Sequence, residues 1–152
     1  MTVITLRSAT RADSEFCFRL HRAAMRDYVA AVWGWDERVQ REHHARAFKP
    51  RRWRIIMVNG TDAGMLSVEY RPDEVYLSRI ELLPGHQGRG IGTRIIGMLL
   101  ADAGRRGHDL VLDVLAVNER ARALYRRLGL TEVAPVADGD VRVRMRSGRP
   151  AA

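Results

Sequence analysis

Alternating and helix-spaced runs of apolar residues divide the chain into a regular succession of elements. Strands are predicted at 3–7, 54–58, 63–70, 75–83, 109–115, 131–136 and 141–145, and helices at 12–32, 37–48, 93–103 and after Asn118. Asn59-Gly60 favours a hairpin, and the continuous apolar run 109–115 is typical of a covered central strand. The pattern predicts an α/β fold with a mixed, mainly antiparallel central sheet and helices on both faces.

The length of the chain and its single cysteine limit its organisation. We expect 152 residues to form one domain over 1–146, with a turn at 137–140 and a disordered tail at 147–152. No apolar run approaches 18 residues and no signal-peptide pattern is visible, so no membrane segment is expected. Cys17 alone excludes an internal disulfide, suits a cytoplasmic location and is interpreted as a small buried apolar residue. Monomer and homodimer both stay open.

Basic residues outnumber acidic ones and give a formal net charge of +8. A positive field favours anionic ligands in general, nucleic acid among them. The arginines are dispersed, however, and neither a basic stripe nor a recognised nucleic-acid module is present. Nucleic acid is therefore not expected as the principal ligand.

A glycine-rich turn, residues 87–92, separates a predicted strand from a predicted helix. The first N–H groups of a helix have no partner within it and favour anionic oxygen, and glycine lets a ligand approach the backbone. A P-loop is excluded because the only lysine is Lys49, and the spacing of the glycines does not fit a Rossmann turn. The turn predicts a phosphate cradle, with a ligand-free turn as the alternative.

Two neighbouring stripes run along the helix that follows Asn118. The apolar stripe consists of Val117, Ala121, Leu124 and Leu128. The second stripe consists of Asn118, Arg122 and Tyr125. We expect the apolar stripe to pack and the second to present an amide, a guanidinium and a phenol. The alternative is that Tyr125 is a half-buried packing residue.

Together the turn and the helix resemble the GNAT N-acetyltransferase superfamily. The turn matches the pattern Q/R-x-x-G-x-G/A at Gln87, Gly90 and Gly92. The helix matches N-x-x-A-x-x-L-Y-x-x-L-G-F from Asn118 onward, with Leu130 in place of phenylalanine. The resemblance covers roughly residues 62–146 and implies a parallel strand pair that splays apart to admit a pantetheine arm.

The resemblance also implies acetyl-CoA as co-substrate and a set of groups that hold it. These cofactor-binding candidates are Leu82, Leu83, Gln87, Gly88, Arg89, Gly90, Ile91, Gly92, Thr93, Asn118 and Arg122. Backbone N–H groups around Leu82 would polarise the thioester carbonyl, and Tyr125 would protonate the departing thiolate. Both roles are carried over from the family.

Two carboxylates are candidates for the base that deprotonates the amine. Glu81 lies on the strand before the turn, and Asp113 lies five residues before Asn118. The position of Asp113 resembles that of the catalytic glutamate of the ribosomal-protein alanine acetyltransferases, one methylene shorter. Either could act through a water. Each could instead be a structural carboxylate paired with arginine, with solvent taking the proton.

The segment between the first two predicted helices contains candidates for acceptor binding, Trp33, Trp35 and Asp36. Aromatic faces beside a carboxylate suit a cationic amine, whereas a hydrophobic plug between the helices is the alternative. The histidines, among them His21, His43 and His44, are scattered or adjacent, so we expect solvated or capping roles and no metal site.

The resemblance therefore implies an acetyl-CoA-dependent N-acetyltransferase that acts on a primary amine by direct attack. The acceptor is a small-molecule amine or an amine of a peptide or protein. The alternative is a non-catalytic acyl-CoA-binding sensor or interaction module. A third possibility, an RNA-directed acetyltransferase, has only the +8 charge in its favour.

Overall fold

A mostly antiparallel seven-stranded sheet and four α-helices make up the computed structural model, which describes residues 1–135 and 141–148. The strands are β1 Ile4–Ser8, β2 Trp53–Val58, β3 Thr61–Tyr70, β4 Glu74–Leu82, β5 Asp109–Leu115, β6 Leu130–Pro135 and β7 Arg142–Ser147. The helices are α1 Ser14–Trp33, α2 Glu37–Ala47, α3 Ile91–Arg105 and α4 Glu119–Arg127. The strand order is β1-β2-β3-β4-β5-β7-β6, and β4 with β5 is the parallel pair. The predicted fold class is confirmed; the predicted turn at 137–140 lies outside the described residues.

Two compact units can be distinguished, residues 1–67 with 79–89, and the described residues within 68–78 and 90–152. In the first unit, β1 and β2 pair antiparallel, and β2 continues into β3 through a tight hairpin. Asn59 and Gly60 have φ of 50° and 81°, the left-handed conformations that a two-residue hairpin requires. The Asn59 side chain also accepts a hydrogen bond from the backbone N–H of Val3 at 2.8 Å. The predicted hairpin is confirmed.

The core of the first unit joins α1 to β2 and β3. It consists of Ala9, Cys17, Leu20, Trp53, Ile55 and Met65, with Phe16, Phe48, Met57 and Leu83 packed against it. Cys17 is fully buried, and burial raises the pKa of its thiol to about 12. Because the thiolate is the reactive form, Cys17 acts as an apolar core residue, as predicted.

The start of α1 lies two residues later than the sequence pattern predicts. Residues Arg11–Asp13 form a 3₁₀ turn, and α1 begins at Ser14. The Asp13 carboxylate accepts from the backbone N–H of Thr10 at 2.8 Å and from the Arg7 guanidinium at 2.8–2.9 Å. The hydrogen bonds from Arg7 lower the pKa of Asp13 to about 2. Arg7 of β1 thus holds the 3₁₀ turn that precedes α1.

In the second unit, β4 and β5 pair over Glu74–Leu77 and Asp109–Leu112. Beyond these pairs β4 runs on to Leu82 and β5 to Leu115. On its other side β5 pairs with β7, which pairs in turn with β6. The buried face of α3 is formed by Ile91, Ile95, Ile96, Leu99 and Ala103. The parallel pair that the resemblance implied is therefore present.

Ser147, which the sequence analysis assigned to a disordered tail, is the last residue of β7. It is buried, and its hydroxyl accepts a hydrogen bond from the backbone N–H of Leu110 at 2.8 Å. This long-range bond fixes the end of β7 against β5. The expected tail therefore cannot begin at Ser147; residues 149–152 lie outside the described part of the chain.

Gly64 in β3 is a position where a side chain would not fit. A Cβ there would meet the backbone carbonyl oxygen of Glu81 and approach the Leu82 side chain to 2.8 Å. An isolated glycine inside a strand pattern is a signal of such a close approach. Gly64 therefore lets β3 and the end of β4 come together.

We predict that Gly64→Ala destabilises the protein by about 1–3 kcal/mol, because the backbone of β4 must move to accept the methyl group. The measurement is the free energy of unfolding in urea. Gly97→Ala in α3 is the matched control, because nothing lies within 4 Å of a Cβ at that position. Its free energy of unfolding should rise by up to about 1 kcal/mol, since alanine has the higher helix propensity. Equal effects of the two substitutions would contradict the packing role of Gly64.

Candidate functional site

The turn between β4 and α3 has the backbone conformation of an open anion site. Gly88 and Gly90 have φ of 73° and 79°, and Gly90 is the N-cap of α3. No side chain in the described part of the chain caps this end of the helix, and a Cβ at Gly90 would meet nothing within 4 Å. The first N–H groups of α3 are therefore not covered by a capping side chain, and the helix dipole favours an anion beside them.

Gln87 and Leu83, two predicted cofactor residues, make hydrogen bonds that hold the turn. The Gln87 side-chain amide donates to the carbonyl oxygen of Leu82 at 2.9 Å, and this bond ties the turn to the last residue of β4. The backbone N–H of Leu83 donates to Ala63 at 2.9 Å, so this donor belongs to the sheet. The described geometry thus gives both residues a role in shaping the turn.

The two stripes predicted around α4 do not divide into a buried set and a presented set. Tyr125, from the stripe expected to be presented, is 7% exposed, whereas Val117, from the apolar stripe, is 44% exposed. Asn118 is the N-cap, and its side-chain oxygen accepts from the backbone N–H of Ala121 at 3.1 Å. The asparagine of the motif therefore starts the helix, and its tyrosine is enclosed.

Arg122 joins three parts of the second unit. Its guanidinium donates to the carbonyl oxygen of Ala116 at 2.7 Å, to Glu119 at 2.8 Å and to Glu132 at 2.7–2.9 Å. These bonds link the β5–α4 connection, the first turn of α4 and β6. The geometry favours a structural task for Arg122, which was a predicted cofactor residue.

Asp113, one of the two candidate bases, is held by an arginine and a tyrosine. Its carboxylate accepts from the Arg144 guanidinium at 2.9 and 3.1 Å and from the Tyr76 hydroxyl at 2.7 Å. Burial alone would raise the pKa of Asp113, but the hydrogen bonds from Arg144 and Tyr76 outweigh it and hold this pKa below its usual value. A carboxylate stabilised in this way is a weak proton acceptor, which favours the structural alternative.

Glu81, the other candidate base, is buried and bonded to a histidine that the sequence analysis did not select. The distance between Glu81 Oε1 and His21 Nδ1 is 2.6 Å. The Arg79 guanidinium lies 3.4 Å from the other carboxylate oxygen and stacks on the Trp53 ring, 4.8 Å from its centroid. His21 was expected to be solvated or capping, and its pairing with Glu81 corrects that expectation.

His44 was also expected to be solvated or capping, and it is instead half-buried. Its ring packs against Phe18, Phe48 and Trp53, and its Nε2 lies 3.0 Å from the Ser14 hydroxyl oxygen. Burial lowers the pKa of His44. Within the described residues, no group of three or more potential metal ligands occurs.

The connection between α1 and α2 does not form the hydrophobic plug that was the alternative for the tryptophans. Trp33 is 55% exposed. The half-buried Trp35 donates from its indole nitrogen to Glu37 at 3.1 Å, and its ring lies 6.2 Å from that of His21. Asp36 is the N-cap of α2 and accepts from the backbone N–H of Val39 at 3.0 Å. Trp35 is thus the tryptophan that lies beside the histidine–carboxylate pair.

We predict that Asp113→Asn lowers the free energy of unfolding at neutral pH by about 1–3 kcal/mol, because Arg144 loses a charged partner. The folded-state pKa of Asp113 is depressed, so its contribution is complete above the ordinary aspartate range and is lost as the pH falls through the folded value. Urea unfolding of both proteins from pH 7 downward should show the difference shrinking below about pH 4. The control is Asp73→Asn, at an exposed turn residue, which should change the free energy of unfolding little at any pH. If the difference in free energy of unfolding caused by Asp113→Asn did not change with pH, this account would be refuted.

Comparison with protein families identifies a match over most of the chain. Residues 16–130 match the acetyltransferase (GNAT) family. The N-alpha-acetyltransferase RimI of Mycobacterium tuberculosis is 42% identical over 62 residues, and an uncharacterized protein of Mycobacterium leprae is 39% identical over 62 residues. Each match covers 41% of this chain, 38% of the first protein and 17% of the second. The chain therefore spans less than two fifths of the length of these relatives.

Solved structures show the same fold at low sequence identity. The PaiA N-acetyltransferase of Thermoplasma acidophilum, solved in complex with coenzyme A, has a TM-score of 0.76 at 14% identity, over 95% of this chain and 98% of that one. The ribosomal-protein-S18-alanine N-acetyltransferase of Escherichia coli has a TM-score of 0.67 at 24% identity, over 99% and 96% of the two chains.

None of the helices in the described residues is long and apolar enough to cross a membrane.

The family match includes the Gly88–Gly90 turn, all of α3 and the Asn118 helix, the same segments on which the sequence resemblance rests. This chain belongs to the GNAT acetyltransferase family, whose members are acyltransferases that use acetyl-CoA.

Proposed function

We propose that this protein transfers the acetyl group of acetyl-CoA to a primary amine by direct attack of the amine on the thioester. The observation that carries the proposal is the open, uncapped N-terminus of α3 at Gly90. Its backbone donors suit a diphosphate, and the exposed Arg89 adds a positive charge beside it. Direct attack needs positioning, a polarised carbonyl, a proton acceptor and a proton donor, and no covalent enzyme intermediate.

The proposed cofactor-binding groups are the backbone of Leu82 and of residues 87–93, together with Asn118. Tyr125 is the proposed acid that protonates the sulfur of the departing coenzyme A. The match of the helix after Asn118 to the family motif, in which Tyr125 is the tyrosine, supports this role. Gln87, Leu83 and Arg122 are proposed to shape the turn and α4 through the hydrogen bonds described above.

The proposed acceptor is an amine on a small molecule or at the N-terminus of a peptide. The names of two similar proteins, the N-alpha-acetyltransferase RimI and the S18-alanine N-acetyltransferase, support testing peptide α-amines first. Trp35, with Trp33 and Asp36, is proposed to border the acceptor. A cytoplasmic location is part of the proposal, supported by the buried, unpaired Cys17.

We predict that Gly90→Asp weakens acetyl-CoA binding at least about tenfold, or about 1.4 kcal/mol. The new carboxylate would stand in the place proposed for the diphosphate and repel it. Its Cβ would meet nothing within 4 Å, and the strain of a side chain at a positive φ is shared by the control variant. Isothermal titration calorimetry with acetyl-CoA measures the change. The control is Gly107→Asp, at the other end of α3, where φ is 70° and nothing lies within 4 Å of a Cβ. Equal affinities of the two variants would refute the assignment of the turn.

We predict that Tyr125→Phe lowers kcat by about 10²–10⁴-fold while the affinity for acetyl-CoA stays within a factor of a few. The proton donor is lost, but the ring still fills its buried position. The assay is thiol release against a panel of peptide and small-molecule amines, with the exposed Tyr70→Phe as control. If the unaltered protein binds acetyl-CoA yet acetylates no amine of the panel, the non-catalytic acyl-CoA sensor replaces this proposal.

A further inference from the structure

We infer that the imidazole of His21 takes the proton from the acceptor amine, and that Glu81 is the positioning residue that holds it. The inference rests on the proposed function, because it assigns a step of that reaction. The sequence predicted a carboxylate as the base; under this inference the group that meets the amine is an imidazole. All the contacts that carry it lie within the first unit.

Both carboxylate oxygens of Glu81 face side chains of the protein. Its side chain is 6% exposed, and one carboxylate oxygen is engaged by His21 at 2.6 Å. The Arg79 guanidinium lies 3.4 Å from the other oxygen. A general base must reach its proton within hydrogen-bond distance or through one water. With both oxygens facing side chains of the protein, Glu81 is placed to orient its neighbour.

His21 has the exposure and the free nitrogen that Glu81 lacks. A carboxylate can only accept hydrogen bonds, so Nδ1 of His21 carries the hydrogen of the 2.6 Å bond. In the neutral ring this leaves the lone pair on Nε2. The side chain is 18% exposed and makes no other hydrogen bond among the described residues. Nε2 is therefore the acceptor that this pair offers to a ligand.

The groups around His21 come from three elements. Glu81 and Arg79 face it from β4, and His44 adds a second imidazole from α2. Trp35 presents its ring 6.2 Å away, with the Arg26 guanidinium 5.9 Å from the centroid of that ring.

A further ion pair, between Arg22 of α1 and Glu37 of α2, lies next to Trp35, whose indole nitrogen donates to the same carboxylate. Trp35 is thus fixed on one side of the imidazole. These aromatic and charged groups define the surface over which an acceptor amine would reach Nε2.

The proposed step balances without any further reactant. The amine nitrogen forms a bond to the acetyl carbon, and the bond from that carbon to sulfur breaks. The proton lost by the nitrogen goes to Nε2 of His21, and the sulfur takes a proton from the Tyr125 phenol of the proposed reaction. Glu81 stabilises the imidazolium that forms, as carboxylates do for catalytic histidines. Exchange with water restores both groups.

The test compares two variants by their pH profiles. In His21→Asn the amide nitrogen can still donate to Glu81, but Nε2 is gone, so kcat/KM should fall about 10²–10⁴-fold. The rise of kcat/KM with pH that a general base produces should disappear. In Glu81→Gln the rate should fall while that rise is kept, because the imidazole remains. Acetyl-CoA affinity, measured by calorimetry, should be unchanged in both.

Two further proteins complete the design. His43→Asn, on the exposed face of α2, is the matched control and should keep both rate and profile. His21→Ala should regain activity when imidazole is added to the assay, which a merely structural role would not produce. The opposite pattern, with the rise kept in His21→Asn and lost in Glu81→Gln, would make Glu81 the base and overturn the inference.

Failure of the inference and failure of the proposed function can be told apart. If the unaltered protein acetylates an amine and His21→Asn keeps its rate and profile, His21 has no part in the proton transfer and only the inference falls. If the unaltered protein acetylates none of the amines, the proposed function falls first.

Discussion

The backbone donors at the start of α3 are the feature on which the proposed function of this chain rests. The chain leaves β4 at Leu82 and enters α3 at Ile91 through a turn in which Gly88 and Gly90 take left-handed conformations. No side chain in the described residues caps the helix at Gly90, so no capping group covers its first N–H groups. A diphosphate supplies the oxygens and the negative charge that such a site favours. The glycines thus allow the turn and, in the proposed function, the close approach of the ligand.

Two carboxylates of similar chemistry lie in different surroundings. Asp113 accepts from Arg144 and Tyr76, which hold its pKa down and make it part of the sheet's structure. Glu81 is bonded to His21, a side chain that can move a proton. Environment, not residue type, separates these two carboxylates, and it is the basis for the different roles that we propose for them.

The chain carries a formal net charge of +8. Many of the arginines are used in ion pairs that tie elements together, as Arg7 does with Asp13 and Asp62, and Arg146 with Glu74 and Asp109. Pairs of this kind connect residues distant in sequence and fix the register of strands. These arginines therefore have a structural role in the fold.

The sequence by itself determined the class of the fold, the Asn59-Gly60 hairpin, the central strand at 109–115 and the glycine turn, because each follows from local periodicity or backbone conformation. Tertiary structure alone decided that Tyr125 is enclosed, that Ser147 belongs to a strand and that His21 meets Glu81. His21 and Glu81 lie 60 residues apart, and no local pattern encodes their contact. Helical spacing shows which residues share a face, but what packs against that face is set by partners far away in the chain.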